Sequence, residues 1–257
     1  MKVRFRCDPA LLGHIPPPVP ARAALPDWLR AMPGTAASEL HGGPVRTVKH
    51  CPPFVDAMAH GFVIPLPCDV RAAGGRLSWD WDLPTPSLPA HPRSPLSFHP
   101  PAQVAGSPFH RPDCAIVKFN SFWTVELPPG WSLFAAHPAN REDLPFRLLT
   151  GLVDADRFSA VGILFPAVWK DPGFEGVLPR GTPVAQCFPV PREALELDIG
   201  PLDPAGADAY EETARALLTA PGHYRRRHRA RRGRSGDAAA AVERAPEFVS
   251  ERAEVEP

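Results

Sequence analysis

Two carboxylates, Asp154 and Asp156, close the segment Gly151-Leu-Val-Asp154-Ala-Asp156, and an amide, Gln186, closes the segment Gly181-Thr-Pro-Val-Ala-Gln186 further along the chain. A carboxylate at a strand end beside a second carboxylate is what general-base chemistry asks for, because a like charge and partial desolvation both raise a carboxyl's proton affinity. The same spacing also suits a plain turn ahead of Arg157, since aspartate favours turns. Gln186 follows a glycine-led turn and sits among apolar neighbours. There it would either meet a ligand or satisfy buried backbone groups.

The elements that must position these side chains are short. The chain has 257 residues, with 36 prolines and 19 glycines, a level of punctuation that strands joined by turns tolerate and long helices do not. The expected architecture is all-β, a distorted barrel or sandwich, with an N-terminal arm over residues 1–45, a β-rich domain over 46–200, one C-terminal helix over 201–222 and a basic, disordered tail over 223–257. Alternation places strands at Leu77–Asp82, at 115–119, at Trp123–Leu127, at Trp131–Ala136 and at Phe146–Val153. Further strands are expected at Lys2–Cys7, Phe62–Leu66, Val161–Phe165, Gly176–Leu178 and Pro183–Val190. Short helical patterns fall at 27–32 and at 54–60, the second closed by Gly61. Residues 83–113 are proline-rich and read as a long loop, a kind of loop that compact domains use for function. Tyr210, Ala214, Leu217 and Leu218 form the stripe of the one long helix, which could dock on the sheet or on another subunit.

Four segments in order, Cys68-Asp69-Val-Arg-Ala-Ala, Trp123-Thr-Val-Glu-Leu-Pro-Pro-Gly130, Gly151-Leu-Val-Asp154-Ala-Asp156 and Gly181-Thr-Pro-Val-Ala-Gln186, make the stretch 68 to 190 similar to trimeric dUTPases and dCTP deaminases. That resemblance implies a β-clip fold with sites built between subunits, hence a homo-oligomer. It also implies that Asp154 orients an attacking water, that Gln186 meets the phosphate side of a nucleotide, and that Asp69 helps hold magnesium through water. The family's serine-rich phosphate segment would fall near Phe134–Arg141, where only Asn140 and Arg141 remain to meet a ligand and no Ser-Gly turn offers amides. The C-terminal glycine-rich flap is missing, and Arg157 stands where an aromatic is expected. The segment Cys51-Pro-Pro-Phe-Val-Asp-Ala-Met58 also resembles an uncharacterised family of bacterial and phage proteins, which implies no activity. The reading that follows is a nucleotide- or phosphorylated-small-molecule-binding protein that could also be a hydrolase.

Two other readings stand beside it. A jelly-roll enzyme would hold iron, and His99 and His110, which flank Gln103 in the proline-rich loop, are its candidate ligands. A nucleic-acid-associated protein would use the tail, where seven arginines fill the ten positions from Arg225 to Arg234; Arg225, Arg226, Arg227, Arg229, Arg231 and Arg232 would neutralise phosphates without reading sequence. The acids that follow could equally answer that charge. Five cysteines without CxxC spacing point to reduced thiols. With no apolar run long enough for a signal peptide or a membrane span, the expected location is the cytoplasm.

Overall fold

The computed structural model describes residues 1–112 and 116–230. In chain order the strands are β1 (Arg4–Arg6), β2 (Val19–Pro20), β3 (Thr35–Ser38), β4 (Gly43–Arg46), β5 (Phe62–Pro65), β6 (Val70–Ala73), β7 (Arg76–Ser78), β8 (Leu96–Phe98), β9 (Ile116–Asn120), β10 (Thr124–Glu126), β11 (Trp131–Ala136), β12 (Phe146–Leu148), β13 (Gly151–Val153), β14 (Leu164–Trp169), β15 (Gly176–Leu178) and β16 (Pro183–Pro191). The α-helices are α1 (Asp27–Ala31), α2 (Pro52–Ala59), α3 (Pro204–Thr219) and α4 (His223–Arg227). The described residues separate into two compact units, one of Met1–Pro26 with Met58–Pro191, the other of Asp27–Ala57 with residues 192–230.

The first unit is all-β. A five-stranded sheet, β13-β11-β16-β5-β2, and a four-stranded sheet, β12-β14-β9-β8, are accompanied by β15-β6-β7 and by the pair β1-β10. All described pairings are antiparallel. Alternation explains the layering: β14 buries Phe165, Ala167 and Trp169, and β9 buries Val117 and Phe119. These residues join Ile64, Leu133, Ala135 and Val184 of the five-stranded sheet and Val70 and Leu178 of the three-stranded one in a single apolar cluster. Phe119, Phe146 and Phe165 are its largest fully buried side chains, and truncating any of them to alanine costs about 3–5 kcal/mol. The barrel expected from the sequence does not close among the described residues: each sheet is an open order with two ends, because β13 and β2 stop after three and two residues.

Several strands differ from their sequence reading. Phe146–Val153 is two strands in different sheets, with Leu149 N–H turned onto Pro166 O at 2.8 Å between them. Of Leu77–Asp82 only the first residues pair, against β6. Trp79 leans on the main cluster, whereas Trp81 packs on Phe122 at 5.6 Å in a second cluster with Leu11, Ile15 and Leu83. The tryptophan alternation therefore reports burial in two places, not one ladder. The proline-rich loop contains β8, which pairs with β9. Asp113 lies outside the described residues.

In the second unit, β3 and β4 form a hairpin that the sequence reading did not include. Lys49 Nζ donates to the Arg30 and Met32 carbonyls at 2.7 and 2.8 Å, satisfying groups orphaned at the end of α1. The N-terminus of α3 is capped by Asp203, whose side chain accepts from Gly206 N at 2.6 Å, with Pro204 in the first turn. Its stripe residues Tyr210, Leu217 and Leu218 are exposed. The tail begins with order: α4 is helical, and Arg229 forks onto Asp56 at 2.6 and 3.0 Å. Arg231 and Arg232 lie outside the described residues. Among the described residues no helix is long and apolar enough to cross a membrane.

Candidate functional site

The Asp154–Asp156 turn is built by β11 and β13, which pair from Leu133↔Val153 to Ala135↔Gly151. Ser132, fully buried on β11, donates its hydroxyl to Asp154 Oδ1 at 2.6 Å. The Asp154 carbonyl accepts the amides of Arg157 and Phe158, both at 2.8 Å, which closes the turn that the aspartate favours. Asp156 Oδ2 accepts from Gly130 N at 2.9 Å and so ties this turn to Pro128-Pro129-Gly130. Between them Ala155 is fully buried and accepts from Leu127 N. Asp154 is exposed and Asp156 half-buried. Asp156 is a brace between two turns; Asp154 carries its carboxylate at the surface, with the Ser132 hydroxyl donating to it.

Gln186 is not assembled with them. It pairs with Ala136 on β11, four positions from Ser132, about 13 Å along a strand. It is 1% exposed, its Oε1 accepts Ala139 N at 2.8 Å, and its Nε2 donates to the His60 carbonyl at 2.7 Å. The amide thus joins three segments of the fold. Asn140 and Arg141 are likewise committed: Asn140 takes a left-handed turn conformation at φ 59°, and the Arg141 guanidinium forks onto Asp143 at 2.8–3.1 Å. Beside them His137 Nδ1 accepts Leu148 N at 3.3 Å, which leaves Nε2 to donate to the Arg141 carbonyl at 3.0 Å. Burial pushes the His137 pKa down, outweighing the Arg141 carbonyl that raises it, and the ring is neutral.

Asp69 opens on a different cavity, of about 350 Å³, on the β15-β6-β7 sheet. Its Oδ1 accepts Arg180 N at 2.6 Å, and Asp80, Asp82, Arg71 and Arg180 share the cavity. Burial, then the charges of Asp82 and Asp69, push the Cys68 thiol up to about 11. His99 Nδ1 is engaged by Gln103 Oε1, and His110 is exposed with its amide on Ser107 O. Among the described residues no three of His, Cys, Asp or Glu are placed to hold a metal ion.

What the structure does assemble is a cavity of about 380 Å³ that neither Asp154 nor Asp156 lines. The loop after Phe158 supplies one wall through Ser159, Ala160, Val161 and Gly162; the others come from residues 6–8, 88–92 and 121–124. The floor is held by Asp8, which is 2% exposed and accepts Ala10 N, Ser87 N, Ser87 Oγ and Leu88 N at 2.8–3.1 Å. Burial alone would raise its carboxyl; the donors from Ser87, Leu88 and Ala10 outweigh it and hold the group well below the usual carboxylate range. Cys7 is pushed up by burial and then by Asp8, so it stays a thiol and is a poor nucleophile. Phe122 is buried with His91 edge-on at 5.0 Å, Ser121 Oγ donates to the Trp123 carbonyl at 2.7 Å, and Trp123 Nε1 to Pro16 O at 3.0 Å. The walls are therefore fixed before any ligand arrives.

The cavity offers an apolar body, from Phe122, Pro92, Ala160 and Val161, with Thr124 and Ser159 hydroxyls and the Arg6 guanidinium on its edge. Its residues come from four distant segments with no shared spacing. The one sequence signal that reached it was the proline-rich loop carrying Leu88–Pro92. The chain matches no family model, and no curated protein is similar to it.

Proposed function

We propose that the first unit binds a small anionic molecule with an apolar, ring-sized body, a nucleotide or another phosphorylated small molecule, in the cavity walled by Ser159–Gly162. The observation that carries this reading is the cavity itself: its volume of about 380 Å³ lies in the range of small-molecule sites. Arg6 would meet the anionic group, Phe122 the ring, and Thr124 and Ser159 the polar edge. A relation to dUTPases and dCTP deaminases is supported by the antiparallel sheets and by the Gly151–Asp156 turn after a Pro-Pro-Gly turn. Triphosphate binding at 134–141 is not supported, because Ala139 N is taken by Gln186 and Arg141 by Asp143.

Hydrolysis is the second reading, favoured by the exposed Asp154 carboxylate held by Ser132. In it Asp154 takes a proton from a water whose oxygen bonds to the phosphorus of a phosphate ester, as the bond to the leaving oxygen breaks and that oxygen takes up a proton. The magnesium or iron that the sequence readings imply would need a donor set that the described residues do not bring together.

The test is a thermal-shift panel of nucleosides, nucleoside monophosphates and triphosphates, and sugar phosphates. A ligand that binds only the folded protein adds about 2.7 kcal/mol at a hundred times its dissociation constant. The expected result is a shift with a phosphorylated ligand and none with the matching nucleoside. Equal shifts for both would remove Arg6 from the account, and no shift with any would remove the proposal.

A further inference from the structure

A separate cavity of about 340 Å³ lies wholly within the second unit, where the end of β4 and the segment after it meet α4. Its polar lining is Arg46, Thr47, His50, His223, Tyr224 and Arg225, and no carboxylate lines it. Gly222 is the close point of this arrangement. At φ 78° it takes a left-handed conformation, and the space where a Cβ would sit is approached by Arg226 Nη1 at 3.3 Å and by Arg46 Nη1 at 3.5 Å. Arg226 Nη1 is held there by the Pro221 carbonyl at 2.9 Å, whereas Arg46 and Arg225 both line the cavity. Like charges that share a cavity are relieved by an anion between them.

The obvious internal anion is already engaged: Asp56 is held by both nitrogens of the Arg229 fork. Among the described residues neither Arg46 nor Arg225 has a carboxylate partner. Aromatic surface stands beside the charge, with Tyr224 stacked on His228 at 6.4 Å and 27°, and His223 5.3 Å from His228.

We propose that this pocket binds a phosphate ester, with the phosphate between Arg46 and Arg225 and a base against Tyr224, as a nucleic-acid strand or a free nucleotide would present them. Cys51 lines the same pocket and is exposed, whereas Cys68 and Cys187 are buried, so alkylation of Cys51 reports occupancy locally. The experiment follows Cys51 alkylation by peptide mapping in the full chain, with a single-stranded oligonucleotide, a nucleoside monophosphate or the matching nucleoside added. At about ten times the dissociation constant the rate should fall about tenfold with a phosphorylated ligand, since only unliganded protein exposes the thiol. The nucleoside should leave it unchanged.

Protection by the oligonucleotide alone identifies a strand as the source, weakening as salt rises. Equal protection by the monophosphate identifies a free nucleotide. Arg46→Ala with Arg225→Ala should abolish protection while Cys68 and Cys187 stay unreactive, which shows the fold is kept. Absence of protection, or protection that survives in this variant, overturns the proposal. Cys51 reports only this cavity, so the outcome is independent of the one in the first unit.

Discussion

The Gln186 side chain donates to the His60 carbonyl at 2.7 Å, across 126 positions of sequence, while its other end accepts the Ala139 amide. One buried amide therefore pairs with two backbone groups that no strand ladder reaches. Gln186→Leu should cost about 2–5 kcal/mol, because both groups would be left unpaired. Urea unfolding checks this, and ligand affinity of the remaining folded protein should be unchanged. A cost below about 0.5 kcal/mol would contradict the structural role.

Asp154 differs from Gln186 in being exposed, with the Ser132 hydroxyl donating to it. Asp154→Asn keeps an acceptor for Ser132, so stability should change by less than about 1 kcal/mol. Any hydrolytic turnover should disappear, as measured by product release under saturating substrate. Full turnover in this variant would exclude Asp154 as the base.

Asp8 and His137 both contribute to the acid limit of stability. The Asp8 carboxyl has a folded pKa held low, so the folded protein binds its proton more weakly than the unfolded chain. Its contribution is complete above the ordinary aspartate value, about 3.9, and is lost as pH falls through the folded value. The neutral His137 ring acts in the same direction from a higher start: its contribution is full above about pH 6.5 and declines below it. The urea midpoint should therefore fall in two stages on acidification, the later one absent in Asp8→Asn. An unaltered acid limb in that variant would contradict the assignment.

Gly61 sits where β5 passes closest to β16. Its φ is 71°, and a Cβ there would lie 2.1 Å from the Cys187 carbonyl oxygen. Gly61→Ala should cost at least about 2 kcal/mol, read by chemical denaturation, since the backbone cannot yield without breaking the β16–β5 ladder. A neutral effect would mean that this approach is not fixed in solution.

Alternation made the central strands legible: Trp131–Ala136 and Gly176–Leu178 coincide with β11 and β15, and the turn before Trp131 lies where two prolines and a glycine require it. The Asp154–Asp156 turn was equally legible, since glycine, apolar run and aspartates are local signals. The role of Gln186 was not, because a buried amide looks the same whether its partner is a ligand or the His60 carbonyl. Periodicity failed at Leu77–Asp82, where Trp79 and Trp81 alternate for burial in two clusters without a partner strand. The cavity in the first unit was out of reach of any spacing argument, since Arg6, Phe122 and Val161 meet only through tertiary packing.

The ligand is proposed to occupy the cavity walled by Ser159, Ala160, Val161 and Gly162. Ala160 is exposed on its wall, so Ala160→Trp fills the space without disturbing the core. The measurement is the thermal shift given by a phosphorylated ligand in the wild-type chain and in this variant. The account predicts a clear shift in the first and none in the second, with both proteins unfolding at the same temperature when no ligand is added. An equal shift in both would place the ligand elsewhere and contradict the claim.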